Sequence, residues 1–227
     1  IISHSESLSV NLKVTPRIQA VLSADEKTAV ISTEAMTELE HGQSLQFGVW
    51  SDANGQDDVK WYEAEYQDGI YTVKITIADF KSLGNYTVHC YLFDAENVGQ
   101  FQVGTQFKVS SPSVEKIILG DINNTTGDFQ ITANNLTAKS GIRHVRAAVW
   151  SRADQGNIHW YEMNKQSNNT YAVTANMVNH SFASGNYTVH IYVEDGNGFY
   201  VFAGGAQKEI KVGESKLYIS TENQKQY

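Results

Sequence analysis

Histidine, cysteine and clustered carboxylates are the side chains from which a catalytic or metal site is built, and here they do not assemble. The seven histidines, at positions 4, 41, 89, 144, 159, 180 and 190, are scattered, and none pairs with another at a metal-ligand spacing. No Gly-x-Ser-x-Gly, His-Glu-x-x-His or phosphate loop occurs. Acidic residues gather at Asp52, Asp57 and Asp58 beside Asn54, at Asp94 and Glu96 beside Asn97, and at Asp195-Gly-Asn-Gly198. Oxygen-rich loops can hold calcium, but this spacing is not that of an EF-hand, and Arg152 stands where Asp52 would recur. These loops read as solvated turns. The single cysteine, Cys90, is matched by Ile191 in a second copy of its surroundings, so it reads as a small buried apolar group and not as a nucleophile. No catalytic residue, metal ligand or cofactor site is expected.

The remaining candidates are aromatic. Trp50, Tyr62, His89 and Tyr91 recur as Trp150, Tyr161, His190 and Tyr192. Flat rings interleaved with hydrogen-bonding groups stack on sugar rings or anchor a protein partner. The competing reading of the same rings is packing, on their own sheet, on loops or between domains. Which reading holds depends on the elements that carry them.

Those elements are repeated. Gly-Asn-Tyr-Thr-Val-His occurs at 84–89 and again, letter for letter, at 185–190. In the second copy Tyr187, Val189, Ile191 and Val193 alternate with Thr188, His190, Tyr192 and Glu194, the period of two of a strand with one face in a core. Seven strands are predicted per copy, at 17–22, 28–33, 44–51, 59–65, 70–77, 84–93 and 106–109. Their counterparts are 114–119, 128–134, 142–151, 157–163, 170–177, 185–194 and 208–212. Val-Trp-Ser ends both third strands, and Trp-Tyr-Glu lies in both fourth strands. Short strands with turn signals between them, including Asn54-Gly55, predict an all-β fold of two tandem immunoglobulin-like sandwiches. The two prolines, Pro16 and Pro112, open the copies, where a missing N–H costs least. The expected organisation is a linker or edge strand at 1–14, repeats at 15–111 and 112–213, and a polar tail or linker at 214–227. The short junction Ser110-Ser111-Pro112-Ser113 predicts restricted motion between the repeats.

Within each repeat Tyr86 and Tyr187 fit the tyrosine that ties a sandwich corner back to its own backbone. Alternation along the fourth strand is read with Trp61 and Trp160 inward as core residues and Tyr62 and Tyr161 outward. The candidate ligand face is then Trp50, Tyr62, His89 and Tyr91, and its copy Trp150, Tyr161, His190 and Tyr192. A one-residue bulge would exchange the faces.

Composition bounds the partner. The 227 residues carry a formal net charge of −8 with 19% charged residues, and no lysine or arginine cluster. Nucleic acid and anionic membrane, which want a basic surface, are disfavoured. No apolar run approaches the roughly 20 residues of a membrane span. The chain opens Ile-Ile-Ser-His, not on a signal peptide, and is expected to be a fragment or mature portion of something longer.

Val-Trp-Ser, a hairpin Asn-Gly-Gln-Asp-Asp, Val-Lys-Trp-Tyr through 49–62, and then Gly-Asn-Tyr-Thr-Val-His-x-Tyr resemble the Bsp-like repeat of streptococcal surface proteins and cell-wall hydrolases. The resemblance covers roughly 15–110 and 112–213, and the second copy departs from it at Arg152 and Gln155-Gly156. It implies a non-catalytic accessory module of an exported Gram-positive surface protein or autolysin, with cell-wall peptidoglycan or an attached glycan as partner. A host-protein adhesin and a purely structural stalk are the alternatives. The sequons at Asn85, Asn124, Asn135, Asn169, Asn179 and Asn186 read, in that setting, as asparagine-rich bacterial loops and strand ends. The resemblance supplies no ligand residues, so the aromatic face rests on the strand alternation.

Overall fold

The structure, a computed structural model, describes residues 16–211. The segments read as a linker at 1–14 and a tail at 214–227 lie outside the described residues. The chain divides into two compact units between Ser111 and Pro112. In the first, eight strands follow one another: β1 (Ile18–Leu22), β2 (Thr28–Thr33), β3 (Ser44–Ser51), β4 (Lys60–Glu63), β5 (Glu65–Gln67), β6 (Ile70–Thr76), β7 (Gly84–Phe93) and β8 (Gly99–Val109). They form two four-stranded antiparallel sheets, β1-β2-β6-β5 and β4-β3-β7-β8. The second unit repeats the plan with β9 (Ser113–Leu119), β10 (Asp128–Thr137), β11 (Ile142–Trp150), β12 (His159–Glu162), β13 (Asn164–Ser167), β14 (Thr170–Asn176), β15 (Gly185–Asp195) and β16 (Tyr200–Ile210). Its sheets are β9-β10-β14-β13 and β12-β11-β15-β16. Each unit is an immunoglobulin-like sandwich.

Alternation explains the core. On β7 Tyr86, Val88 and Cys90 are fully buried, and on β3 so are Phe47 and Val49. On the other sheet Ile31 and Ile75 are as deeply buried. The second unit buries Ile131, Val149, Tyr187, Val189 and Ile191 alike. Cys90 lies where Ile191 does, and burial pushes its thiol up to about 12, which leaves it protonated and unreactive at neutral pH.

Two predicted elements differ from the fold. The fourth strand is two strands, because the chain leaves one sheet at Ala64 and joins the other as β5. Met163 marks the same crossing between β12 and β13. The last strand begins well before 106, since β8 pairs with the whole length of β7. A bulge hides this from the sequence: Cys90 pairs with Val103 but Tyr91 with Phe101, so Gln102 is an extra residue and the inward–outward alternation reverses there. The same reversal occurs at Ala203, between the Ile191–Gly204 and Tyr192–Phe202 pairs.

The corner before β7 is tied by its tyrosine. Tyr86 Oη donates to Ser82 O at 2.6 Å, and Tyr187 Oη to Ala183 O at 2.8 Å. Both rings are fully buried, and Tyr86 stacks on Phe107 with centroids 4.9 Å apart. Gly84, at φ +107°, makes the turn into the strand two residues earlier, in a region that L side chains rarely adopt. Tyr86→Phe and Tyr187→Phe each leave a part-buried carbonyl without its donor and are expected to cost about 1–3 kcal/mol. For domains of this size that lowers the melting transition of the affected unit by several degrees. A differential scanning calorimetry trace unchanged by both substitutions would remove the corner from the stability account.

Candidate functional site

The sheet β4-β3-β7-β8 has one face in the core and one outward, and register decides which rings share the outer face. Directly opposed residues of an antiparallel ladder lie on one face. Gly48 opposes both Trp61 and His89, Gln46 opposes Tyr91, and Trp50 opposes Thr87. Trp50, His89 and Tyr91 therefore lie outward, as the alternation predicts. Tyr62 does not: it opposes the fully buried Phe47 and turns inward, while Trp61 is 50% exposed. The second unit agrees, with Tyr161 8% and Trp160 44% exposed, and with Trp150, His190 and Tyr192 on the outer side. The predicted assignment of the fourth strand is thus inverted. Tyr62 and Tyr161 leave the candidate face, and Trp61 and Trp160 are its most exposed tryptophans instead of core residues.

The physical reason is register: Tyr62 and Tyr161 oppose the fully buried Phe47 and Ala147, which leaves the tryptophans on the outer side. A Cβ at Gly48 would stand 3.2–3.4 Å from the Trp61 ring, so the indole lies directly over a residue with no side chain. His89 lies over Gly104 in the same way, and His190 over Gly205. The loop before β4 holds this register. Asp58 accepts from Ser51 N at 2.9 Å, from Ser51 Oγ, and from Lys81 N at 2.9 Å. Burial alone would raise its pKa, but these hydrogen bonds outweigh it and hold the carboxyl below its ordinary value. In the second unit Asn157 occupies this place, accepting from Ser151 N and donating to Ser151 Oγ and His180 O. The reading of these acidic loops as solvated turns is corrected at two positions. Asp58 is buried, and so is Asp195, which accepts from Ser140 Oγ, Asn197 N and Phe199 N. Their oxygens are occupied by protein donors. Among the described residues no group of three or more His, Cys, Asp and Glu side chains is placed to hold a metal.

The first unit's outer face is a continuous aromatic array. Trp50 meets His89 edge-on at 4.7 Å, and His89 meets Phe101 at 4.9 Å. Tyr91 contacts Phe101 at 5.6 Å and Trp61 at 5.2 Å, and Phe93 closes one end 6.2 Å from Trp61. Trp50 is itself only 8% exposed, so it supports His89 more than it presents a surface. Phe101, 52% exposed, was not among the predicted site residues. Neither was Phe202, which contacts His190 at 4.8 Å and Tyr192 at 5.8 Å. Each reaches the face only because the bulge reverses its strand, a signal that alternation cannot carry.

The second unit's face keeps Trp150–His190 at 4.7 Å and Trp160–Tyr192 at 5.2 Å but changes the far end. Where the first unit pairs Phe93 with Gly99, the second pairs Glu194 with Tyr200. Tyr200 stacks on Tyr192 at 5.9 Å with planes 8° apart. Arg146, opposite Glu162, replaces Gln46 opposite Glu63, and the two side chains form an ion pair. The Glu162 carboxylate pushes the Arg146 guanidinium further up, and burial pushes the Tyr200 phenol up against the opposing pull of Arg146. Arg146, Trp160, Glu162 and Tyr200 line an open groove of about 320 Å³.

The second unit also buries a polar pair beneath this sheet. His180 is fully buried; Nδ1–H donates to Asn157 O at 3.0 Å, and Nε2 accepts from Tyr161 Oη at 2.9 Å. Burial lowers its pKa, the Asn157 hydrogen bond opposes the shift, and His159 adds to it. In the first unit the fully apolar Phe80 makes the equivalent edge contact with the corner tyrosine, at 5.2 Å against 5.4 Å for His180 and Tyr187. Tyr62 Oη, buried, has no hydrogen-bond partner among the described residues.

Two stretches of the chain, residues 19–107 and 119–208, match the family model described as the GBS Bsp-like repeat. Among solved structures the chain is similar to the FN1–FN3 domains of chicken CNTN1, with TM-score 0.35 and 9% identity over 87% of this chain and 67% of that one. A polysaccharide deacetylase from Bacillus cereus matches with TM-score 0.37 and 10% identity, over 44% of this chain and 32% of the enzyme. No curated protein matches.

The His180 environment predicts a pH dependence confined to the second unit. A histidine whose folded pKa is depressed stabilises fully above its unfolded value, about 6.5. That stability is lost as pH falls from there toward the folded value. The Asp58 contribution of the first unit, also a depressed pKa, is lost only below about pH 3.9. Between pH 7 and pH 5, hydrogen exchange resolved by unit is expected to quicken in the second unit. His180→Phe, the first unit's solution, should reduce that change, the remainder coming from His190, whose pKa burial also lowers. Equal acceleration in both units would contradict it.

Proposed function

The chain belongs to the GBS Bsp-like repeat family, and on that premise we propose that it is a non-catalytic repeat module of an exported surface protein that holds cell-wall glycan on the outer aromatic face of each repeat. The observation that carries this reading is the recurrence of one exposed array in both units. Trp61, His89, Tyr91 and Phe101 in the first correspond to Trp160, His190, Tyr192 and Phe202 in the second. Sequence drift between the copies has touched core contacts and loops, yet exposed rings persist where solvent would favour polar groups. Exposed aromatic patches of this continuity mark binding surfaces. Their rings offer faces to the C–H edges of a pyranose, and the histidines add hydrogen bonding within a mostly apolar surface.

A polymeric ligand suits a tandem module. Each face is shallow and its contacts are few, so single-site affinity is weak, and a chain with repeating sugars lets two weak sites act with one another's effective concentration. The acidic balance, −8 over the chain, fits a polysaccharide better than an anionic polymer bound by charge alone. No helix among the described residues is long and apolar enough to cross a membrane.

Sedimentation of the protein with isolated Gram-positive peptidoglycan, with and without its attached polymers, tests the reading. Saturable co-sedimentation is expected, and it should be lost in the Trp61→Ala, Trp160→Ala double variant while circular dichroism and melting stay those of the parent, because both indoles lie outside the core. An undiminished pull-down by that variant would overturn the aromatic face as the binding surface. Absence of co-sedimentation at tens of micromolar protein would overturn glycan binding altogether and direct attention to host proteins.

A further inference from the structure

The two aromatic faces differ at one end, and the difference is chemical. In the first unit the Phe93 ring lies over Gly99, where an added Cβ would stand 2.7 Å from it, and Gln46 faces Glu63. That end is flat and apolar. In the second unit Tyr200 replaces the glycine, Glu194 replaces the phenylalanine, and Arg146 replaces the glutamine. The result is the groove between Trp160 and Tyr200, with the Arg146–Glu162 pair on its floor. Glu194 and His144 continue the groove beyond Tyr200, and Arg143 lies 3.7 Å from Glu194.

We propose that this groove in the second repeat is the principal sugar subsite of the chain and that it takes an uncharged pyranose, with Trp160 and Tyr200 against the ring and the Arg146–Glu162 pair on adjacent hydroxyls. The inference rests on the glycan reading above and deepens it. The aromatic walls set the shape: the two exposed rings stand on the opposite edge strands of one sheet, and Tyr192 between them contacts Trp160 and stacks on Tyr200. The floor sets the polarity. An arginine already paired with a carboxylate presents donors and acceptors side by side, which suits vicinal hydroxyls that both donate and accept. It suits an anionic sugar poorly, because Glu162 and Glu194 line the same groove and balance Arg146 and Arg143. The first repeat, lacking both Tyr200 and the arginine, contributes an apolar contact surface without such a floor.

The test titrates the full chain with a neutral trisaccharide of N-acetylglucosamine and with trigalacturonate, by calorimetry and by two-dimensional NMR. Saturable binding of the neutral sugar with shifts centred on the second repeat is expected. Arg146→Gln and Tyr200→Gly, which install the first repeat's own residues, and Trp160→Ala should each weaken it about tenfold. Trp61→Ala should weaken it less than Trp160→Ala, because the first repeat offers only an apolar contact surface. Hydrogen exchange of the variants checks that the second unit remains folded, and Arg146→Gln, on an exposed side chain, serves if Tyr200→Gly unfolds it. Preference for the acidic sugar, equal sensitivity to Trp61→Ala, or no sugar binding by a chain that still sediments with cell wall would overturn this subsite while leaving the glycan reading standing. Loss of both wall and sugar binding in the parent chain would remove the two together.

Discussion

The ladder between β3 and β7 is the constraint from which both faces of the sheet follow. Val49 opposes Val88 and Phe47 opposes Cys90, which puts a closed apolar layer inward. The same register puts Gly48 against His89 and Gln46 against Tyr91, so the outer face inherits its aromatics as a consequence of the core. β4 then joins β3 with Trp61 over Gly48, and β8 joins β7 through a bulge that delivers Phe101 to the same side. A slip of one residue in the central ladder would exchange the apolar layer for the aromatic face. Core and surface are thus specified by one set of hydrogen bonds.

The duplicated unit shows which parts of this arrangement are interchangeable. Ala148 replaces Gly48 beneath the tryptophan, and the indole still stands outward. Asp58 and Asn157 close the same loop with different chemistry. A carboxylate needs three donors and finds them in Ser51 N, Ser51 Oγ and Lys81 N. A carboxamide offers its own N–H and so turns to a carbonyl, that of His180. The swap of Phe80 for His180 follows from the same neighbourhood. A buried imidazole costs free energy unless both nitrogens are satisfied, and Asn157 O and Tyr161 Oη satisfy them. Each polar exchange in the second unit is therefore matched by a partner within reach.

The outer face drifts differently. Its exchanges do not conserve buried volume or hydrogen bonding; they move a ring from one strand to the next, Phe93 over Gly99 in one unit and Tyr200 beside Glu194 in the other. Aromatic area persists while its position and polarity change. Packing imposes no such requirement on half-exposed positions, and the persistence of rings there is the feature of this protein that folding does not explain.

The amino-acid sequence by itself determined the duplication, the all-β class, the inward layer of β7 and β15, and the tyrosine corners. All of these depend on local spacing: the period of two within a strand, or a tyrosine reaching back four residues to Ser82 or Ala183. It also placed Trp50, His89 and Tyr91 on one face, because their strands alternate cleanly. Only the tertiary structure decided the fourth strand, where Trp61 and Tyr62 are both large and aromatic and alternation admits either facing. The choice was made by the partner strand, since Phe47 and Ala147 lie in the core and the tyrosines that oppose them, Tyr62 and Tyr161, follow them inward. Phe101, Phe202 and Tyr200 were likewise beyond local reading, because one extra residue in an edge strand reverses every side chain beyond it, and the groove beside Arg146 exists only where four strands meet in register.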